Sequence, residues 1–318
     1  MRNYILKRFI SALGVIFIIS LITYGVLIVL PGNAALLMLG TDASPGAVLA
    51  LEEAMGLDKP WIIRYAAWFL DFIRFDLGTS YVFGHSVKSL IFQRIPVTFS
   101  VAFLAMLMAS AAAFALGTAS AVKKGGLTDF ASRFVMQAGS AMPSFWLGMM
   151  FIVYFGVEKR FFPISGYIPL SEGLSAHIKS IFLPAAVLAI GETGTLFRAT
   201  RTAMLDALSK DYIIMTTVKG LPNLTVYFKY AFRTAVSVPL NVLGMQFAKL
   251  MGGTAVVESV FSLPGIGRLV LVAVEQRDII LLQGLVMSIT TFVVLISLFI
   301  DISNMLINPM IREKVQGE

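Results

Sequence analysis

Long runs of hydrophobic residues, separated by short clusters of charged ones, divide the chain into six segments. A helix that spans a membrane needs about 20 consecutive apolar residues. Four runs contain no charged residue, and they cover 9–30, 95–122, 134–157 and 279–300. Two more contain one charge each: 180–197 contains Glu192, and 234–257 contains Lys249. The pattern therefore predicts an all-α integral membrane protein with six transmembrane helices.

The positions of Lys and Arg between these segments predict the orientation of the chain. Positive residues accumulate in the loops that stay on the cytoplasmic side of a membrane. With both termini inside, the inner segments contain 14 Lys or Arg residues in 72, and the outer segments contain 10 in 107. The inner segments are then 1–8, 123–133, 198–233 and 302–318, and the outer ones are 31–94, 158–179 and 258–278. This bias favours an N-in, C-in topology, and it accounts for the net charge of +7 without nucleic-acid binding.

Composition agrees with a membrane protein and excludes several kinds of chemistry. Hydrophobic residues make up 58% of the chain and charged residues 14%, whereas soluble domains are about half apolar and about a quarter charged. The chain has no cysteine, and neither His85 nor His177 has a carboxylate or a second histidine at metal-ligand spacing. The motifs G-x-x-x-x-G-K-[ST], H-E-x-x-H and G-x-S-x-G are also absent. We therefore predict no catalytic residue, no metal site and no cofactor bound by this chain.

A ladder of small residues marks one face of the second predicted helix. Every fourth position carries one of them: Ala105, Ala109, Ala113 and Gly117. Small residues on one stripe allow helix backbones to approach closely within lipid. The ladder predicts that this helix packs tightly against a neighbour.

The outer segment 31–94 is large enough to form a small subdomain. Its pattern predicts helices at 45–55 and 60–73. Aromatic residues recur at helical spacing in the second of these, namely Trp61, Tyr65, Trp68, Phe69 and Phe72. Two interpretations are open: a helical cap that rests on the membrane surface, or a docking surface for an extracytoplasmic partner.

The inner segment 198–233 is too long for a simple turn and shows helical periodicity. Its apolar stripe consists of Leu205, Leu208, Tyr212 and Met215. The charged residues on other faces are Lys210, Asp211 and Lys219. Because Gly220-Leu221-Pro222 marks a helix end, we predict one amphipathic helix over 205–221. It either docks its stripe into a groove of a soluble partner or lies on the bilayer.

Two charges fall within the predicted spans. Glu192 is expected near the inner end of the fourth helix, and Lys249 about two-thirds along the fifth. A lone charge at the bilayer centre costs at least about 2.5–3.5 kcal/mol. Three interpretations are open: the two side chains pair, they reach the interface, or they contact a charged substrate. Lys249 is the better candidate for the pathway, because Gly252 and Gly253 follow it and permit close approach to the backbone.

The outer stretch from Glu258 to Arg268 contains a tight turn between the last two predicted helices. Pro264-Gly265 and Gly267 mark that turn. The stretch could gate the outer mouth of a pathway or contact a partner that delivers substrate. It could equally be the connection that two neighbouring helices require.

Several motifs resemble the permease subunits of ATP-binding-cassette importers. The stretch from Asp211 to Leu221 is similar to their cytoplasmic coupling loop. The other matching motifs are Gly56-Leu57-Asp58-Lys59-Pro60, Phe75-Asp76-Leu77-Gly78-Thr79-Ser80, Met142-Pro143-Ser144-Phe145-Trp146-Leu147-Gly148, Phe162-Pro163-Ile164-Ser165-Gly166, Phe232-Arg233-Thr234-Ala235, Leu250-Met251-Gly252-Gly253, Val256-Val257-Glu258-Ser259-Val260-Phe261, Pro264-Gly265-Ile266-Gly267-Arg268-Leu269, Arg277-Asp278 and Gln283-Gly284. Together they resemble the first permease subunit of the binding-protein-dependent dipeptide/oligopeptide/nickel importer family. Ile214 and Thr217 depart from the pattern, because the family usually has arginine at both places.

The resemblance implies a type I importer permease in the bacterial inner membrane. Its expected partners are a homologous second permease, two cytoplasmic ATPases that consume ATP, and an extracytoplasmic substrate-binding protein. The coupling residues implied are Leu205, Leu208, Asp211, Tyr212, Met215, Lys219, Gly220 and Leu221. The chain would divide into an N-terminal end with the first helix (1–30), the outer segment (31–94), a permease core that contains the coupling loop (95–308) and a cytoplasmic tail (309–318).

The resemblance leaves the substrate open. A dipeptide or oligopeptide is favoured, and glutathione, nickel or another metal–chelator complex are the alternatives. The pathway and gating candidates are Glu192, Lys249, Gly252, Gly253, Glu258, Pro264, Gly265 and Arg268. The alternative from another class is a self-contained secondary transporter or channel.

Overall fold

The computed structural model describes residues 2–29, 39, 44–54 and 58–307. Its helices are α1 (Arg2–Val29), α2 (Pro45–Ala54), α3 (Trp61–Ile73), α4 (Val87–Val122), α5 (Leu127–Ala141), α6 (Ser144–Phe151), α7 (Leu174–Leu208), α8 (Asp211–Val218), α9 (Arg233–Ala235), α10 (Ser237–Gly253), α11 (Ala255–Val260), α12 (Ile266–Glu275) and α13 (Ile279–Ile307). π-Helical turns cover Ile152–Glu158 and Thr225–Phe232, and a 3-10 turn covers Leu170–Glu172. These ranges contain no strand, only an isolated bridge between Thr79 and Ser86, which confirms the predicted all-α class. The predicted tail 309–318, and Gly56 and Leu57 of the first motif, lie outside the described residues.

Within the described residues, four helices are long and apolar enough to cross a membrane, and they match four of the predicted segments. Their spanning portions are Leu6–Val26, Val87–Val122, Leu174–Leu208 and Ile279–Ser303. A fifth candidate is α5 followed by α6 and its π-helical extension, whose two halves meet at 96°. The bend falls at Met142, which adopts an extended conformation (φ −79°, ψ 132°) because Pro143 follows it.

The fifth predicted segment, 234–257, is divided in the structure. α10 has 17 residues and ends at Gly253, and α11 begins at Ala255. Consecutive glycines weaken a helix because they lose the most backbone freedom when they are fixed. By length and composition the described residues therefore supply four membrane spans, or five with the bent pair. The count of six stays a prediction.

Two of the spanning helices are longer than their apolar runs. α4 begins at Val87 instead of 95, and α7 covers Leu174–Leu208 instead of 180–197. The 35 residues of α7 extend over about 52 Å, well beyond the roughly 30 Å of a hydrocarbon core. The expectation that Glu192 lies near a helix end is therefore wrong. It occupies the middle of α7, because the helix continues through the charged residues that follow the apolar run.

The central contact of the fold joins α4 to α7. Ala105, Ala109 and Ala113 are fully buried, which confirms the predicted tight packing of the small-residue ladder. At Gly117, an added Cβ would lie 2.9 Å from the side chain of Thr200 on α7. On α7 itself, a Cβ at Gly194 would overlap a hydroxyl of α5. α7 is thus clamped between α4 and α5, and the candidate site is arranged around it.

The outer segment contributes two short helices. α2 and α3 confirm the helices predicted at 45–55 and 60–73: α3 begins one residue later, at Trp61, and Met55 lies outside the described residues. The aromatic face of α3 packs against α1, where the Tyr65 hydroxyl lies 2.7 Å from the Ser20 hydroxyl. The rings of Phe17 and Phe69 meet edge to face, with centroids 5.7 Å apart. α3 is therefore fastened to the first spanning helix.

Candidate functional site

The amphipathic helix predicted over 205–221 is two separate elements, so the prediction of one continuous helix is wrong. Leu205 and Leu208 belong to the end of α7, while α8 begins at Asp211. The helix stops at Ser209, whose hydroxyl donates to the carbonyl of Asp206 (2.9 Å), and Lys210 is extended. The predicted apolar stripe is consequently broken between its second and third residues.

The predicted helix end after α8 is confirmed. Gly220 has φ +74°, a left-handed conformation that favours glycine. The amide of Gly220 donates to the carbonyl of Thr217 (2.9 Å), and the amide of Leu221 donates to that of Thr216 (3.3 Å). This pair of bonds is a Schellman motif, and it fixes the direction in which the chain leaves Lys219.

α8 turns one side inward and presents an apolar surface outward. Ile213 is buried among residues of α7 and of the turn after α8. The Tyr212 hydroxyl donates to Thr234 at α9 (2.9 Å) and fixes α8 to the next helix. We call the exposed apolar residues of α8 the α8 patch; they are Tyr212, Ile214, Met215 and Val218, at 50–75% exposure. A short, anchored helix with such a surface can enter a groove on a soluble protein.

The two charges that were predicted to lie within the spans form an ion pair. Lys249 Nζ on α10 lies 3.1 Å from Glu192 Oε1 on α7. Gln246 donates through Nε2 to the other carboxylate oxygen (2.8 Å) and to the Glu192 carbonyl (3.0 Å). Of the three interpretations, the structure thus shows the pair. The Glu192 side chain is 12% exposed and the Lys249 side chain 72%, so the cation faces away from the rest of the described chain.

An exposed polar stripe on α7 adjoins this pair, and sequence reasoning missed it. Residues spaced by three or four positions form it: Gly191, Thr195, Arg198, Thr202 and Asp206. Arg198 donates to Gln137 of α5 (3.1 Å) and to Thr195 (3.0 Å) beside a cavity of about 380 Å³. On α10, Met245, Lys249 and Gly252 are exposed at the same helical spacing. The sequence does contain the spacing of three or four residues that forms the α7 stripe. It can be recognised only when α7 is known to continue beyond its apolar run to Leu208.

Glu258 is the centre of a buried hydrogen-bond cluster at the predicted turn. Its carboxylate is fully buried and accepts from the hydroxyls of Thr98 and Thr254, both at 2.7 Å. It also accepts from the backbone amide of Arg268 at 2.8 Å. A Cβ at Gly265 would overlap this carboxylate. The cluster joins α4, α11 and α12, so Glu258 and Gly265 hold a connection together.

The remaining candidates lie at the surface. Gly252 and Gly253 are exposed where α10 ends, and a Cβ at Gly253 would meet no atom within 4 Å. Pro264 and Arg268 are also exposed. The predicted gating residues therefore fall into two groups. Glu258 and Gly265 are buried in the connection between helices, whereas Gly252, Gly253, Pro264 and Arg268 are accessible.

Comparison with known proteins identifies the chain. A family described as the binding-protein-dependent transport system inner membrane component matches residues 111–313. The N-terminal family of the same membrane components matches residues 1–102. The chain belongs to this permease family. The permease is therefore a multi-pass inner-membrane protein of the kind found in ATP-binding-cassette importers, as the motifs indicated.

Its relatives cover nearly the full chain. A putative peptide transport system permease protein of Brucella abortus (strain 2308) is 34% identical over 312 residues, which are 98% of this permease and 99% of that protein. The dipeptide transport system permease protein of Alkalihalophilus pseudofirmus is 31% identical over 332 residues, covering 98% and 100%. The metal-staphylopine import system permease protein of Staphylococcus aureus (strain Mu50) is 29% identical over 317 residues, covering 98% and 99%.

A second feature that the sequence did not reveal lies near the start of α5. The Asp129 carboxylate is 1% exposed and accepts two bonds from Arg201 of α7, at 2.8 and 2.9 Å. Ser120 of α4 donates to it at 2.6 Å, and the amide of Gly125 at 3.0 Å. We call this group the Asp129 bracket. It ties the long helix α7, ten residues before α8 begins, to the two helices beside it.

Two of the family motifs meet where the loop before α4 contacts the start of α13. Asp278 is fully buried and accepts from the hydroxyl of Ser80 (2.5 Å) and the amide of Leu281 (3.0 Å). Tyr81 accepts from the amide of Ile279 (3.1 Å), and burial raises the pKa of its hydroxyl, which keeps it protonated. The loop before α4 is thereby fixed to the beginning of α13.

Proposed function

We propose that this permease forms one half of the translocation pathway of an ATP-driven importer of dipeptides or oligopeptides. In this proposal it crosses the membrane six times, with both termini in the cytoplasm. The observation that carries the proposal is the exposed polar surface made by the α7 stripe and the Glu192–Lys249 pair.

The polar surface is unsuited to contact with lipid. Charged and hydrogen-bonding groups within spanning helices are costly to expose to hydrocarbon and usually face a cavity or another protein. Lys249 on α10 is 72% exposed and pairs with Glu192 in the middle of α7, and the exposed stripe continues from Gly191 and Thr195 to Arg198 and Asp206 towards the end of that helix. Such a surface is one open wall of a pathway. A homologous second permease with a similar wall would complete it.

The α8 patch supports coupling to a cytoplasmic ATPase. The patch is apolar and exposed, yet its helix is anchored by Ile213 and by the bond from Tyr212 to Thr234. An anchored helix moves with the element that carries it, here α7, instead of bending alone. One ATPase on this patch and another on the second permease would therefore shift α7 and its partner between two arrangements of the pathway. The ATP would be bound and hydrolysed by those subunits.

The outer face supports a role in receiving substrate. Pro264 and Arg268 are exposed beside the buried Glu258 cluster, which holds their backbone in place. They are the positions at which an extracytoplasmic binding protein would contact this permease or at which the mouth would close. Glu258 and Gly265 would support that surface without touching the substrate.

Peptides are the favoured cargo because the Brucella and Alkalihalophilus relatives are named as peptide and dipeptide permeases. A metal–chelator complex is the second candidate, favoured by the metal-staphylopine permease of Staphylococcus aureus. Both kinds of cargo carry carboxylates and amines. The exposed ammonium of Lys249 offers a positive charge to the carboxylates of either, whereas Glu192 is only 12% exposed and is bonded to Lys249 and Gln246.

Uptake into proteoliposomes tests the proposal. The full complex is reconstituted with ATP inside, and uptake of a labelled dipeptide is measured with and without the binding protein and the ATPases. We expect uptake only when both are present, and competition by unlabelled peptides but not by a nickel–histidine chelate. Competition by the chelate alone would replace the peptide by the metal complex as cargo. Uptake without the ATPases would contradict the importer and indicate a secondary transporter or channel.

A further inference from the structure

The helix α3 in the outer segment is apolar on nearly all sides. The side that faces α1 carries the aromatic residues Tyr65, Trp68, Phe69 and Phe72, which contact Phe17 or Tyr24 of α1 or one another. The opposite side is exposed and consists of Ile62, Ile63, Ala66, Ala67, Leu70 and Ile73. The four large residues among them are 53–60% exposed. A helix with this composition on its outer side is covered in the functional state, either by lipid or by protein.

The depth of α3 follows from its contact with α1. The hydroxyls of Tyr65 and Ser20 are 2.7 Å apart. Ser20 precedes Val26, the end of the spanning portion Leu6–Val26, by six residues, which is about 9 Å along the helix. The middle of α3 therefore lies alongside the apolar part of α1. That part of α1 also exposes apolar side chains of its own, Ile18 at 56% and Ile22 at 58%.

The charges near α3 agree with a shallow position in the membrane. Asp58 and Lys59 precede the helix, and Asp71, Arg74 and Asp76 lie in its last turn or just beyond. Between these groups Arg64 is the single charge, and it hydrogen-bonds to Tyr24 of α1. The 13 residues of α3 extend over about 20 Å, too short for a hydrocarbon core of roughly 30 Å. Because α3 is too short to span the core, it fits an orientation along the plane of the membrane. In that orientation both charged ends reach the headgroups while the middle lies among the acyl chains.

We propose, resting on the topology given under Proposed function, that α3 is an interfacial helix inserted in the outer leaflet, with its Ile62–Ile73 side in contact with lipid acyl chains. The occupant of this surface is thus the bilayer, and the binding protein docks elsewhere. α3 widens the lipid contact of α1 and holds the loop before α4 at the membrane surface. Of the two interpretations of the outer segment, this proposal agrees with the helical cap and not with the docking surface. It differs in placing α3 within the outer leaflet instead of on the membrane surface.

Quenching of single labelled cysteines tests this proposal, because the chain has no native cysteine. Leu70→Cys and Ile63→Cys place an environment-sensitive fluorophore at two positions on the outer side of α3. Ile22→Cys on α1 is the lipid-facing control, and Glu172→Cys in the exposed turn Leu170–Glu172 is the aqueous control. Each variant is reconstituted with its partner permease in phosphatidylcholine vesicles. The quenchers are aqueous iodide and a lipid with a nitroxide near the top of its acyl chain.

We expect both α3 labels to behave as the Ile22→Cys label does, whether the binding protein is present or absent. Their emission should shift to shorter wavelength, quenching by the nitroxide lipid should appear, and quenching by iodide should be lost relative to Glu172→Cys. Iodide quenching equal to that of Glu172→Cys would overturn the proposal, because α3 would then face water. Protection from both quenchers, or protection that appears only with the binding protein, would also overturn it and assign the surface to a protein partner.

Discussion

At the scale of single residues, Glu258 shows how a carboxylate in a predicted gate can be structural. Every bond to it comes from a neutral donor: two threonine hydroxyls at 2.7 Å and the backbone amide of Arg268 at 2.8 Å. Hydrogen bonds of this kind offset the cost of burying a charge. The space around the carboxylate is filled, and Gly265 completes it because no other residue leaves room. The residues of this turn that a partner or substrate can contact are therefore Pro264 and Arg268.

We predict that Gly265→Ala destabilises the permease. The new methyl group would overlap the Glu258 carboxylate, and forced repacking of this kind costs about 1–3 kcal/mol. Thermal unfolding of the detergent-solubilised protein measures the effect. Gly253→Ala is the matched control, because a Cβ there meets no atom within 4 Å. Equal unfolding temperatures for the two variants would contradict the role of Gly265.

The Glu192–Lys249 pair permits a test that separates a structural role from a pathway role. Lys249→Met should lower the unfolding free energy by less than about 1 kcal/mol, because the lysine is 72% exposed. Uptake should nevertheless fall severalfold, and Lys249→Arg should retain it. Adding Glu192→Gln to Lys249→Met removes the unpaired carboxylate, so the double variant should regain stability without regaining uptake. Wild-type uptake by the double variant would reduce the pair to a tie between α7 and α10.

At the scale of elements, α7 connects the features of the site. It packs on the small-residue ladder of α4, carries the polar stripe and Glu192, and ends three residues before α8 begins. The Asp129 bracket holds it at Arg201. A force on α8 would therefore reach the middle of the membrane through one continuous helix.

We predict that Arg201→Gln destabilises the part of the permease around the Asp129 bracket. Asp129 is 1% exposed, and removing its main partner leaves a buried charge, which typically costs about 3–5 kcal/mol. Unfolding in detergent measures the loss. Arg133→Gln is the matched control: Arg133 also contacts Asp129, but at 3.3 Å and with a side chain that is 54% exposed, so its loss should cost at most about 1 kcal/mol. A larger effect of Arg133→Gln than of Arg201→Gln would contradict the role of the bracket.

The elements also show what the sequence could predict. Apolar runs located the spanning helices because the part of a helix within lipid must be apolar. Such a run shows only how much of the helix lies in the hydrocarbon core, and not where the helix begins or ends. α7 therefore extends past its apolar run to Leu208. The break after Ser209 is made by the extended backbone of Lys210, which helical periodicity does not detect. The Glu192–Lys249 contact joins residues 57 positions apart, so the pair could be proposed but not chosen over its alternatives.

At the scale of the whole molecule, the permease has surfaces that its own chain leaves open. The polar wall of α7 and α10 faces away from the described core, and the α8 patch is exposed at 50–75%. α3 exposes a third surface, which is apolar. We infer that these three surfaces meet a second permease, an ATPase and lipid, respectively. The polar surface made by the α7 stripe and the Glu192–Lys249 pair could not be predicted from the sequence. Which residues of α7 and α10 are exposed depends on how the neighbouring helices pack against them.

The most direct test of coupling through α8 is ATPase turnover of the reconstituted importer in response to substrate-loaded binding protein. The test variant carries Tyr212→Asp and Met215→Asp, which put two charges on the exposed α8 patch. Because both side chains are at least half exposed, the helices should still assemble. Tyr212→Phe with Met215→Leu removes the same hydroxyl bond to Thr234 but keeps the patch apolar, so it serves as the control. We predict that the aspartate variant loses stimulated turnover while the control retains it. Full stimulation of the aspartate variant would contradict coupling through α8.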